Sequence, residues 1–155
     1  MEILFEWAQE EPYRITSDVE LESSRLVEGH ASFAAVPHID ATLARMKDHY
    51  EIEGNISTKV MIPCARCLEP FELPISHPLH LVLLPRPSYP GFVELELNDD
   101  DLDTSFYSEE KVVLEDLVSE QINLALPMRP LCSPDCKGLC LTCGTDLNRG
   151  SCTCR

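Results

Sequence analysis

Glu51-Ile-Glu-Gly-Asn-Ile-Ser-Thr-Lys-Val-Met-Ile-Pro-Cys64-Ala-Arg-Cys67-Leu-Glu-Pro-Phe71-Glu-Leu-Pro-Ile75 is the stretch that decides the fold. Before the cysteines, polar and apolar residues alternate. Ile52, Ile56, Val60 and Ile62 share one side, with a break near Gly54-Asn55. After the cysteines, Phe71 to Ile75 and His80 to Leu84 give a second extended stretch. A period of two argues for strands with one buried face. Cys64-Ala-Arg-Cys67 between two strand signals predicts an antiparallel hairpin with the cysteines at its tip.

Working outward, Lys111 to Leu126 reads as the principal helix. Leu114, Val118, Ile122 and Ala125 fall on one face with Val113 and Leu117 beside them, and Pro127 stops it. That stripe reads as core in preference to a partner groove. Residues 1–49 carry weaker signals: short strands at Val19 to Leu21 and Ala31 to Val36, the second ended by Pro37, then helical spacing from Ile39 to Tyr50. Pro85, Pro87 and Pro90 precede a strand signal at Phe92 to Leu97, and Asn98-Asp-Asp-Asp101 reads as a solvated loop. There are no internal repeats.

Six of the eight cysteines, Cys132, Cys136, Cys140, Cys143, Cys152 and Cys154, fall in the last 24 residues. A thiolate zinc site takes four sulfurs in a tetrahedron, and Cys-x-x-Cys on a tight turn supplies two of them. Gly144, following Cys143, can take the positive φ that closes such a turn. Cys140, Cys143, Cys152 and Cys154 therefore read as one compact local site. Cys64, Cys67, Cys132 and Cys136 are left to form the other, which closes a loop of about seventy residues and staples the hairpin tip to the chain after the helix. A second grouping stays open, joining Cys132 and Cys136 to Cys140 and Cys143, and Cys64 and Cys67 to Cys152 and Cys154. All-cysteine sites leave no ligand position for a substrate, so the reading is structural zinc, two per chain. Iron in a rubredoxin-like site would have the same spacing. Disulfides do not suit a reducing compartment, and a thioredoxin-like role for Cys64-Ala-Arg-Cys67 lacks its βαβ context.

The chain has 155 residues, 44% of them hydrophobic, enough for a real core. Its formal charge of -15 argues against whole-surface attraction to nucleic acid or anionic membranes and favours a basic partner. Residues 1–63 carry 12 acidic and 5 basic side chains and residues 94–131 carry 11 and 2, whereas the tail 132–155 carries 2 and 3. Two tetrathiolate metal sites, each about -2, would take the total to about -19. Lys137, Arg149 and Arg155 would then partly neutralise the centre that they surround. Met1 to Trp7 has no basic run and the longest apolar run, Leu79 to Leu84, is far too short for a membrane span, so the expected location is cytoplasmic. No phosphate-cradling loop, Gly-x-Ser-x-Gly elbow or His-Glu-x-x-His occurs, and His30, His38, His49, His77 and His80 lack ligand or triad spacing.

Three motifs carry a family resemblance: Cys64 to Phe71, Leu124-Ala-Leu-Pro-Met-Arg-Pro-Leu-Cys132, and Cys132-Ser-Pro-Asp-Cys-Lys-Gly-Leu-Cys140 running on to Asn148. Together they resemble the YceD family, bacterial proteins named for large ribosomal RNA subunit accumulation. The resemblance covers about residues 20–155 and is strong from 56 onward; Trp7 to Ile15 matches no pattern. It implies a non-enzymatic role in making or maintaining large-subunit ribosomal RNA. Some family members keep Cys-x-x-Cys and a cluster after the helix but lack the final four cysteines. This implies that Cys64, Cys67, Cys132 and Cys136 are the core site and the final four an added module.

The combined expectation is an α+β protein with a mainly antiparallel sheet, one principal helix and a C-terminal cysteine-rich zinc knuckle. Residues 1–131 would form the α+β domain with its Cys-x-x-Cys hairpin, and residues 132–155 a metal-binding tail packed on it. The partner would be a large-subunit ribosomal RNA precursor, or a basic ribosomal or assembly protein, with neither membrane nor small-molecule substrate involved. Arg66, Lys137, Arg149 and Arg155 are the candidate contacts. The rival reading is a thiol redox or electron-transfer protein that uses the Cys-x-x-Cys pairs.

Overall fold

A computed structural model describes residues 1–27, 29–86 and 103–154. The elements are β1 (Glu2–Leu4), β2 (Tyr13–Asp18), β3 (Ser32–Arg45), β4 (Tyr50–Pro63), β5 (Pro70–Pro85), β6 (Thr104–Tyr107), β7 (Lys111–Val113) and one α-helix, α1 (Leu114–Ala125), with short 3-10 turns at Phe5–Ala8 and Ser23–Arg25. Five strands form one sheet in the order β2-β3-β4-β5-β6, antiparallel except that β6 runs parallel to β5; β1 and β7 pair separately. The expected class, a mostly antiparallel sheet with one helix, is the one observed. The strand signal at Phe92 to Leu97, the acidic run Asn98 to Asp101, and Pro87 and Pro90 lie outside the described residues.

The central hairpin is β4 and β5, in register from Tyr50↔Leu83 to Pro63↔Pro70. One face of β4, with Ile52, Ile56, Val60 and Ile62, is fully buried. Against that layer α1 places Leu114, Leu117, Val118 and Ile122, all buried, so its stripe is core. No helix among the described residues is long and apolar enough to cross a membrane.

Gly54 does not interrupt β4. A Cβ there would run into the Asp40 carbonyl oxygen and the Ala41 backbone on β3, so glycine permits a close strand approach in mid-sheet. The two stretches after the hairpin tip are one strand that passes through Pro74 and Pro78. Among the described residues β6 pairs only with Val82–Pro85, so the part of β5 that holds Pro74 and Pro78 has one ladder, to β4, and a second edge where proline costs no ladder bond.

The N-terminal expectations need correction. The strand expected at Val19 to Leu21 lies earlier, at Tyr13–Asp18, and is preceded by the short β1. Pro37 does not end its strand. Register shifts between Phe33 and Ala35 and between Ala35 and His38 absorb it, and its carbonyl accepts the Val19 N–H at 2.8 Å. Ile39 to Tyr50 is not helical: Ile39, Ala41 and Leu43 face the core at a period of two on β3, and Tyr50 opens β4. The helix is also shorter than expected, because Lys111–Val113 pairs with Glu2–Leu4 as β7.

Candidate metal centres

The hairpin ends in a six-residue tip, Cys64 to Glu69. The Cys64 N–H bonds to the Glu69 carbonyl at 2.9 Å, and the Leu68 N–H bonds to the Cys64 carbonyl at 2.9 Å. Leu68 then takes φ +63°, as Gly144 takes +73° after Cys143. The two Cys-x-x-Cys turns share this step into the left-handed region. At the tip a leucine takes it, against an intrinsic preference of about 1–2 kcal/mol, and stays 65% exposed.

The segment after α1 comes back to this tip. The Ala65 N–H bonds to the Pro130 carbonyl at 2.8 Å and the Leu139 N–H to the Arg66 carbonyl at 3.2 Å. Gly138 makes the second contact: its φ is +73°, and a Cβ there would lie 3.0 Å from the Arg66 carbonyl oxygen. The sulfurs of Cys64, Cys67, Cys132 and Cys136 all lie within 4.8 Å of one another, and so do those of Cys140, Cys143, Cys152 and Cys154. We call these the tip cluster and the tail cluster. The alternative grouping of Cys132 and Cys136 with Cys140 and Cys143 is not the one that the sulfurs adopt.

A tetrahedron with metal–sulfur bonds of about 2.3 Å has edges of about 3.8 Å. In the tip cluster, Cys64 Sγ lies 3.8 Å from Cys136 Sγ and Cys67 Sγ lies 3.7 Å from Cys132 Sγ. The tail cluster is tighter along one edge, with Cys140 and Cys152 sulfurs 3.3 Å apart. Cys64, Cys67 and Cys136 are buried with Phe71, Leu131 and Leu139 packed against them, whereas Cys143 and Cys154 are exposed. Both clusters could hold a metal ion.

The thiols are electrostatically uneven. Burial opposes ionisation of Cys64, but backbone N–H groups of Cys132, Cys67 and Arg66 outweigh it and lower the thiol to about 6. Cys132 is an exposed residue, but desolvation of its sulfur against the cluster, and then the Cys136, Cys64 and Cys67 sulfurs, push its thiol up to about 12. In the tail, the Thr145 hydroxyl, 3.1 Å from Cys143 Sγ, is the largest influence lowering that thiol to about 6. One sulfur of such a set ionises readily and the last resists. A bound cation removes that conflict, and its binding displaces the remaining protons.

Two of the candidate contact residues, both exposed, are engaged by neighbouring groups. The Arg66 guanidinium donates from Nη1 to the Cys136 carbonyl at 2.8 Å and the Pro134 carbonyl at 3.4 Å, clamping the tail to the tip. Arg149 pairs with Glu69 at 3.3 Å and Asp146 at 3.4 Å. Lys137 is exposed and its ammonium makes no ion pair among the described residues; Arg155 lies outside them. Sequence reasoning missed Leu68 and Asn148. Asn148 donates from Nδ2 to Cys136 Sγ at 3.4 Å and accepts the Lys137 N–H at 2.7 Å. Its place between Cys143 and Cys152 gave no sign that it serves the other cluster.

The family model described as Large ribosomal RNA subunit accumulation protein YceD matches residues 52–155. An uncharacterized protein of Mycobacterium tuberculosis (strain ATCC 25618 / H37Rv) is 27% identical over 113 residues, covering 73% of this chain and 52% of that protein. The Zea mays protein named Large ribosomal RNA subunit accumulation protein YCED homolog 1, chloroplastic, is 25% identical over 140 residues, covering 76% of this chain and 48% of the relative. The chain thus spans about half the length of these curated relatives. No solved structure matches it. The family match takes in the hairpin tip, α1 and all eight cysteines, and the chain belongs to the YceD family.

Proposed function

We propose that this chain is a non-enzymatic, zinc-stapled factor that supports accumulation of large-subunit ribosomal RNA during ribosome biogenesis. One observation carries the metal half of this reading: four sulfurs from two distant segments meet with edges of 3.7 and 3.8 Å, the size of a tetrathiolate zinc site. The family carries the other half. Zinc in both clusters would hold residues 132–155 as a tail on the domain formed by 1–131. The eight cysteines act as ligands and leave no open coordination position, which argues against catalysis. A thiol redox role is disfavoured because Cys64 and Cys67 are 0% and 5% exposed and cannot readily meet a partner disulfide.

The favoured partner is a basic ribosomal or assembly protein in the cytoplasm, with the large-subunit RNA precursor as the alternative. Arg66 and Arg149 are engaged within the tail and the tip, leaving little cationic surface in a chain of charge -15. Any direct RNA contact would be local and strongly salt-sensitive. Two measurements test the reading. Metal analysis should give two zinc atoms per chain. Depletion of the protein should reduce free large subunits, or their RNA, on a gradient, and an unchanged profile would refute the biogenesis role. Retarded migration of large-subunit RNA fragments with metal-loaded protein in low salt would replace the protein partner with RNA.

A further inference from the structure

We infer that the two clusters form one coupled unit, in which Asn148 makes retention of metal at the tip depend on metal in the tail. The inference rests on the metal-site reading and adds an order of loading and a residue that enforces it.

By position Asn148 belongs to the loop between Cys143 and Cys152, and thus to the tail cluster. By contact it serves the tip. One amide nitrogen lies 3.4 Å from Cys136 Sγ and 2.8 Å from Asp146 Oδ1, and the amide oxygen accepts the Lys137 N–H at 2.7 Å. The same loop touches the tip side elsewhere. The Leu147 N–H bonds to the Gly138 carbonyl at 2.9 Å, Leu139 bridges to Asp146, and Arg149 reaches Glu69 at 3.3 Å.

Apart from the sulfurs at its ends, the loop is held in that place by these hydrogen bonds and one exposed ion pair, with no buried side chain behind them. No residue from Cys140 to Cys154 is buried, and Leu141 is fully exposed. A segment this short with no core of its own folds on its metal. The hydrogen bonds that close its turns, Cys140 N–H to the Thr145 carbonyl at 2.8 Å and Gly144 N–H to the Cys140 carbonyl at 2.9 Å, lie within the cysteine frame and share its fate. Emptying the tail cluster therefore leaves the loop on solvent-exposed contacts alone, and the Asn148 bond to Cys136 loosens with it. An N–H on a metal-bound thiolate orients it and draws off charge, and loss of such a partner typically weakens metal binding about 10–100-fold. Exposure sets the sequence of events: no tail cysteine is buried, whereas at the tip Cys132 alone is exposed and Cys64, Cys67 and Cys136 are buried, so a chelator reaches the tail metal first.

The test uses the full chain loaded with cadmium-113, which gives one resonance for each occupied site. The double variant Cys152→Ser/Cys154→Ser assigns the resonance that remains to the tip. In the intact chain a chelator should remove the tail resonance first, and the tip resonance should persist until the tail is empty. In the double variant and in Asn148→Asp, tip metal should be lost at least about tenfold faster. Asn148→Asp keeps an oxygen for the Lys137 N–H but cannot donate to Cys136, so its tip resonance should also shift, which a loss of folding support alone would not cause. Unchanged tip retention with two metals bound overturns the coupling and leaves the metal reading intact. Fewer than two metals on the unaltered chain overturns both.

Discussion

Replacing Cys136 by Ser removes one corner of the tip cluster, and the expected damage follows from the length of chain that the cluster closes. Cys64 and Cys136 are 72 residues apart in sequence and 3.8 Å apart at sulfur. A cross-link across such a loop removes about 4 kcal/mol of chain entropy from the unfolded state, if the metal stays with the unfolded chain. If the metal dissociates on unfolding, the contribution is its binding free energy, which is larger and grows with free metal. Cys140 and Cys152 are only 12 residues apart. The same relation gives about 3 kcal/mol, but that acts on ordering of the tail and reaches the sheet only through contacts such as Asn148 to Cys136. If that coupling is tenfold, Cys154→Ser costs the main domain about 1.4 kcal/mol. Urea unfolding followed by tryptophan fluorescence separates the two. Trp7 is the sole tryptophan and packs at a tilt with its ring centroid 5.1 Å from that of Tyr13 on β2, so it reports the sheet and not the knuckle. With a slope of about 2 kcal/mol per molar urea, Cys136→Ser should lower the midpoint by about 2 M and Cys154→Ser by about 0.7 M. Equal shifts would refute the assignment of the fold-level staple to the tip cluster.

Gly54→Ala should cost about 1–3 kcal/mol, read as a fall of several degrees in Tm, because the added methyl group meets the Ala41 backbone; an unchanged Tm would show that β3 and β4 can part without cost. His49 lies 2.9 Å from both Glu51 and Asp48, and hydrogen bonding to Glu51 first, then to Asp48, raises its pKa above 6.5. A raised folded-state value means that its stabilisation is complete below the unfolded value and is lost as pH rises through the folded one. The His49 imidazole should therefore titrate above 6.5 by NMR, and His49→Gln should flatten the fall of stability over that interval. Arg66→Ala removes the clamp on the Cys136 and Pro134 carbonyls and should cost about 1 kcal/mol per lost hydrogen bond, seen as faster amide exchange at Leu139. Unchanged exchange with weakened RNA binding would return Arg66 to a role in recognition.

The readable parts of this chain were those where one periodicity had no competitor. On β4 the step of two from Val60 to Ile62 breaks the spacing of four that Ile52, Ile56 and Val60 would share with a helix, and on α1 the step of three from Leu114 to Leu117 breaks the even spacing that Leu114, Val118 and Ile122 would share with a strand. Strand β3 was ambiguous for a physical reason. Ile39, Leu43, Met46 and Tyr50 are spaced by four, three and four, which suits a helix, while Ile39, Ala41 and Leu43 suit a strand equally well. The ladder resolves it: lying between β2 and β4, β3 pairs along both edges. At β7, Val112 and Val113 continue the helical stripe by spacing, and long-range pairing with Glu2 and Ile3 overrides it. The clusters were legible because Cys-x-x-Cys is a local geometry. Asn148 was not, because its partner belongs to the other cluster.

The cations near the cysteines also read differently once they are placed. Arg66 and Arg149, beside cysteine motifs, suggested an outward patch for RNA. Arg66 instead spends donors on carbonyls of the segment that carries Cys136, and Arg149 neutralises Glu69 and Asp146. Metal binding by eight thiolates would add about four negative charges at this end of the molecule. The two exposed arginines would offset part of such a charge, and they tie the tail to the tip at the same time. Lys137 is then left beside two anionic centres, where its charge is largely offset within the molecule. The field that a partner meets would then be negative even at the least acidic end of the chain. With both sites filled, long-range attraction would favour the basic protein partner proposed above, and close contact would fall to uncharged groups such as Leu68 and Leu141, which stand exposed at the two turns.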